Sequence, residues 1–129
     1  MIVLETSALV AMVAREPGSE RLFEVAAAEG VALPAHCLLE AHMVLASRFP
    51  PGMIATLDAV VARLAPVVLP FDAQHADLAR GAFLRYGKGR HPAGLNFGDC
   101  MSYAAAQAEG LPLLWVGEDF GQTDVAAAQ

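Results

Sequence analysis

Short apolar runs alternate along this chain with longer stretches whose apolar positions recur at helical spacing. Met1–Leu4 is the first short run, β-like, and it ends at an acid, Glu5. Thr6 or Ser7 can then cap a helix over Ala8–Arg15, which Pro17 and Gly18 close. Ser19 is placed to cap a second helix, Glu20–Glu29, with Leu22, Phe23, Val25 and Ala26 inward and Gly30 as its stop. Val31–Leu33 is a second short strand, and Pro34 suits the first turn of a third helix reaching Phe49. After Pro50-Pro51-Gly52 come a fourth helix, Met53–Leu64, and a third strand, Pro66–Leu69. Asp72 caps a fifth helix to Tyr86, and Lys88–Gly94 forms a polar loop. Asn96 opens a sixth helix to Glu109, Leu113–Val116 is a fourth strand, and Thr123–Ala127 adds a short edge strand.

Strands this short and apolar, separated by helices, predict an α/β fold: a mainly parallel sheet, buried on both faces between helical layers. With 129 residues the chain makes one domain, 1–129. Apolar residues make up 56% of it, so it is not a disordered chain. No run is long enough to span a membrane, and Glu5 interrupts the only stretch that resembles an export signal, which predicts a cytoplasmic protein. Cys37 and Cys100 sit in apolar surroundings and read as reduced, buried thiols. Helices one to four carry a surplus of apolar residues, among them Leu9, Val10, Met12, Val13, Met43, Met53, Ile54 and Leu57, which predicts a partner surface.

Eight basic against 14 acidic residues leave a net charge of −6, which argues against grip on a nucleic acid by global attraction. In a parallel sheet the working site lies beyond the C-terminal strand ends. Glu5 after the first strand and Glu118 with Asp119 after the fourth occupy such positions. Glu40, on an otherwise apolar helix, either joins a polar stripe with His36 and Ser47 or points inward. Asp99 either pairs with Asn96 at a helix start or belongs to the same pocket. Carboxylates gathered together repel unless a cation joins them, and oxygen donors without a His or Cys cluster favour Mg²⁺ or Mn²⁺ over zinc. That is the chemistry of a metal-dependent nuclease or phosphohydrolase.

The opening IVLETSALVAMVAREPGSERL, the segment LLEAHMVLASR, and GKGRHPAGLNFGDCMSYAAAQAEGLPLLWVGEDFGQTDV together resemble the PIN-domain ribonucleases, in particular the VapC toxins of type II toxin–antitoxin pairs. The resemblance runs from Met1 to Val125. It implies a three-layer α/β/α sandwich and Mg²⁺-dependent endonucleolytic cleavage of RNA, of the tRNA or rRNA class. It also implies two partners: a second copy of the chain, and a VapB-like antitoxin that blocks the acidic pocket. Carried over by position, Glu5, Glu40, Asp99 and Glu118 are the catalytic acids. Glu5, Asp99 and Glu40 would hold the metal, and Thr6, Ser7 and Asp119 would line the pocket. One position departs: the family string is DTSA-like, and here it is ETSA. The extra methylene shifts the carboxylate by about 1 Å, against a tolerance of about 0.5 Å in catalytic constellations. The alternative reading is therefore a weakened or inactive PIN module that binds antitoxin or RNA without cutting.

The densest basic stretch is Lys88–His91 with Arg85 upstream, so Arg85, Lys88, Arg90 and His91 are the candidate RNA contacts. His36, His42 and His75 lack a second ligand at zinc spacing and read as structural or surface residues. A response-regulator-like pocket would need paired acids after the first strand and a lysine after a later one, and neither is present.

Overall fold

The computed structural model describes all residues, Met1–Gln129. In chain order the elements are β1 (Ile2–Leu4), α1 (Thr6–Ala14), α2 (Ser19–Glu29), β2 (Val31–Pro34), α3 (Ala35–Arg48) and α4 (Gly52–Leu64). Then follow β3 (Val67–Leu69), α5 (Ala73–Tyr86), α6 (Phe97–Glu109), β4 (Leu113–Leu114) and a 3₁₀ turn, Phe120–Gln122. The strands form one sheet in the order β3-β2-β1-β4, and every pairing is parallel. The expected α/β/α sandwich is therefore present, with its sheet wholly parallel.

Alternation along β1 divides the interior. Ile2 and Leu4 point into one core with Leu9, Val13, Leu33, Leu45 and Leu57, under α1–α4. Val3 points the other way, into a second core with Ala82, Leu95, Tyr103, Leu113 and Trp115, under α5 and α6. Leu113 and Leu114 repeat the division on β4. β1, β2 and β4 are buried on both faces because each face carries its own helical layer, whereas the edge strand β3 is not, with Val67 and Val68 exposed and only Leu69 buried.

Four expectations need correction. Neither Thr6 nor Ser7 caps α1; the Glu5 carboxylate does, accepting from the Ser7 amide. Ser19 lies inside α2, whose cap is Gly18 at φ 86°, a left-handed conformation that favours glycine, and no side chain caps that end. The tail contributes a single bridge, Leu113 to Ala127, instead of a strand. The apolar surplus is mostly interior: Leu9, Met12, Val13 and Leu57 are buried, Val10, Met53 and Ile54 pack partly against the same core, and only Met43 is exposed. Four helices over one sheet face consume it. Cys37 and Cys100 are buried and free, and no helix is long and apolar enough to cross a membrane.

Candidate active site

The apolar run of β1 delivers Glu5 to the C-terminal edge of the central strand, where it is 4% exposed. Glutamate is not among the preferred helix caps, yet its side chain folds back over α1. One oxygen, Oε2, accepts from the Ser7 amide at 2.7 Å and also from the Ser7 hydroxyl. That hydroxyl in turn accepts from the Val116 amide at 2.8 Å, tying the start of α1 to the end of β4. The neighbouring Thr6 hydroxyl donates to Glu40 Oε1 at 2.6 Å. Glu40 therefore faces inward from α3, and it still shares a groove wall with His36 and Ser47.

Asp99 arrives on the first turn of α6. Asn96 caps that helix by accepting from the Asp99 amide at 2.9 Å, and Asp99 Oδ2 accepts from the Asn96 amide at 3.0 Å. The two readings of Asp99 are thus compatible: the capping box fixes the side chain beside the other acids. Gly98 makes the approach of α6 to α3 feasible, because a Cβ there would stand 2.9 Å from Glu40 Oε2. Each of the three acids has one oxygen engaged by the protein, while Glu5 Oε1, Glu40 Oε2 and Asp99 Oδ1 have no protein hydrogen bond.

None of these acids is in an ion pair; all three ion pairs in the molecule lie elsewhere. Burial pushes the Glu5 carboxyl up to about 7; the Ser7 hydrogen bonds oppose the rise, and the charges of Asp99 and Glu40 add to it. Burial raises Asp99 too, against the Asn96 amide and with the help of Asp119 and Glu40. Of the 118–119 pair, only Asp119 is near enough for its charge to contribute to that rise. Glu118 is exposed and its side chain has no hydrogen bond or ion pair. As the side chains stand, no three His, Cys, Asp or Glu residues are close enough to hold a metal ion together.

A cleft of about 300 Å³ is lined by Glu5, Thr6, Ser7, Glu40, Arg48 and Val116, among others. Arg48 was not foreseen. It lies eight residues after Glu40 with Val44 between, the spacing that puts all three on one face of α3. The sequence carried that signal, but only for a reader who already knew that Glu40 faces in.

The basic loop is occupied with its own structure. Arg85 donates to the Tyr86 hydroxyl at 2.8 Å and pairs with Asp124 at 3.4 Å. Arg90 donates to the Leu84 carbonyl and lies over the Phe83 ring. His91 Nδ1 accepts from the Ala93 amide, with its ring edge-on to Tyr86. Lys88 is exposed without a side-chain partner, and none of the four lines the acidic cleft.

A family profile described as PIN domain matches residues 2–126. The chain belongs to the PIN-domain family. Within that family it belongs with the VapC ribonucleases. This PIN domain is 46% identical over 127 residues to Ribonuclease VapC of Mycolicibacterium smegmatis, covering 98% of both chains. It is 44% identical over 126 residues to Ribonuclease VapC30 of Mycobacterium tuberculosis, covering 97% of this chain and 96% of that one. The solved structure of Mycobacterium tuberculosis VapC20, described as a sarcin–ricin-loop-cleaving toxin, superposes with a TM-score of 0.74. That superposition covers 98% and 97% of the two chains at 23% identity, so the likeness is one of fold.

Proposed function

We propose that this PIN domain is a metal-dependent endoribonuclease and the toxin of a type II toxin–antitoxin pair. The observation that carries the reading is the approach of Glu5, Glu40 and Asp99, from three different elements, near the C-terminal edge of the parallel sheet, close enough to act on one another's charge and none of them in an ion pair. Such a group is costly in the folded chain unless something positive binds there. The donor chemistry suits Mg²⁺ or Mn²⁺, since only hard carboxylate oxygens are offered and each acid keeps one oxygen free of protein partners. Glu5, Asp99 and Glu40 would hold the ion, with Asp119 favoured over Glu118 at the fourth position.

When bound, the ion polarises a phosphate and lowers the pKa of a water for in-line attack on an RNA phosphodiester. The chain's own residues prepare the place. Thr6 fixes the Glu40 carboxylate, Ser7 fixes that of Glu5, and the Asn96 box fixes Asp99. The N-terminal ends of α1 and α6 both face the acids, and their amides favour negative charge there. Arg48 is the basic side chain of the cleft and the first candidate for phosphate contact. Lys88, unpartnered at the surface, is the second, and Arg85, Arg90 and His91 would have to leave their present partners to serve. A VapB-like antitoxin, a homodimer and a cytoplasmic location belong to the same reading.

Incubation of the purified chain with bacterial RNA tests it, with Mg²⁺, with Mn²⁺ and with a chelator. Cleavage is expected with either ion and none with the chelator. Metal-independent cleavage that survives in Asp99→Asn would overturn it.

A second reading has its own observation. Glu5 is turned back onto Ser7 as a helix cap, on a side chain one methylene longer than the aspartate of the DTSA-like string. This favours a weakened or inactive PIN module, and a wild-type chain that binds RNA or antitoxin but cuts nothing is its signature.

A further inference from the structure

Beside the acidic cleft, a mixed groove of about 590 Å³ runs between α3 and the start of α6, its apolar wall made by Leu39, Met43, Met101 and Phe97, with His36 and Ser47 among its polar lining. Glu40, Val44 and Arg48 line both cavities, so groove and cleft are one continuous surface. Phe97 is 84% exposed, the most exposed of the large apolar side chains, and it stands two residues before Asp99. Asn96 and Gly98 flank it, the one capping α6 and the other against Glu40, so its backbone is fixed by the same contacts that build the acid cluster.

Resting on the ribonuclease reading above, we propose that this groove seats an unpaired base of the RNA, stacked on Phe97, next to the phosphate held at the acids. A nucleotide whose phosphate enters the cleft must put its base on the adjoining surface, and that surface here offers an apolar wall with a free aromatic face. Arg48, on the wall shared by the two cavities, suits the backbone that joins them. Unpaired bases are read by stacking on aromatic side chains, whereas a base held in a duplex offers no such face. The seat therefore selects single-stranded or looped RNA and tolerates any base.

Binding and cutting are tested separately. The probes are fluorescein-labelled single-stranded oligoadenylate RNA and the same strand paired with oligouridylate, titrated at low salt against wild type, Phe97→Ala and Phe97→Trp. Wild type is expected to prefer the single strand. Phe97→Ala should lose about tenfold or more of that affinity and little of its duplex binding, and Phe97→Trp should keep both. Wild type without single-strand preference, an unchanged Phe97→Ala, or equal loss on both probes overturns the base seat. So does a loss confined to capture of a protein partner, which would assign the groove to a peptide. Selective binding without cleavage sinks the nuclease reading alone, and cleavage with unchanged Phe97→Ala binding sinks the base seat alone.

Discussion

Two carboxylates of this chain, Glu5 and Asp124, are held in opposite ways. Asp124, on the tail, accepts from the Tyr103 hydroxyl and pairs with Arg85, and these partners hold its carboxyl below the usual range. The same contact pushes the Tyr103 phenol, already raised by burial, up to about 12. Glu5 has a deeper position and poorer company: two bonds from Ser7, two acids nearby and no ion pair, with its carboxyl raised to about 7. One region uses a carboxylate to fasten the tail to α5 and α6. The other accepts a cost in the ligand-free fold, and uncompensated charge in a cleft is the mark of a site built for something that binds.

The contrast is broken most sharply by removing one acid from each region. Asp99→Asn keeps an oxygen for the Asn96 amide but removes the charge, so RNA cleavage should fall by at least about 100-fold while the melting temperature holds or rises. A variant that cuts like wild type would take Asp99 out of the chemistry.

The next effect is on stability. Without metal, both folded and unfolded chains bind the Glu5 proton below pH 4.5, and the fold is at its full strength with respect to this group. Between 4.5 and about 7 the unfolded chain releases a proton that the folded chain retains, so stability falls as pH rises, by up to about 3 kcal/mol. Asp99 acts in the same direction. Asp124 works the other way, losing its contribution only as the solution becomes acidic enough to protonate it in the fold. Urea midpoints across this window should decline for wild type and flatten for Glu5→Gln. A wild-type midpoint that climbs would refute the account of Glu5.

Smaller again is the effect of length at position 5. Glu5→Asp should raise metal-dependent cleavage by about tenfold, since misplacement by about 1 Å is costly to catalysis. Equal or lower activity would mean that the longer side chain is already placed for the task. Least of all, Asp124→Asn should lower stability by less than about 1 kcal/mol, because the pair is exposed to solvent, and should leave cleavage unchanged. Thermal melts and the RNA assay together check it.

Much of the scaffold was legible because local chemistry decides it. Proline and glycine mark the breaks, and Asp72 and Asn96 cap their helices as their side chains prescribe. Glu5 could be proposed from its strand end, whereas the local pattern leaves Glu40 and Asp99 open between two readings, and they come only by resemblance to a known family. What escaped depends on distant chain. Glu5 caps α1 through a bond to Ser7, whose hydroxyl also accepts from Val116; no local preference encodes that. That the charge of Asp119 reaches Asp99 depends on the fold and not on the local sequence. Arg85 looked free for RNA until Asp124, 39 positions on, closed over it. The exposure of Phe97, an apolar residue beside Gly98, becomes visible only once α6 packs on α3.

The order of the strands also sets a timetable. β1 is the first strand to leave the ribosome, yet its neighbour β4 is the last, and the Ser7–Val116 hydrogen bond closes across 109 positions. Glu5 and Glu40 are synthesised early, Asp99 late and Asp119 later still. A nascent chain that has not reached α6 carries two of the acids and no third. The acid cluster thus comes together only near the end of translation, and a message truncated before α6 yields a chain without it.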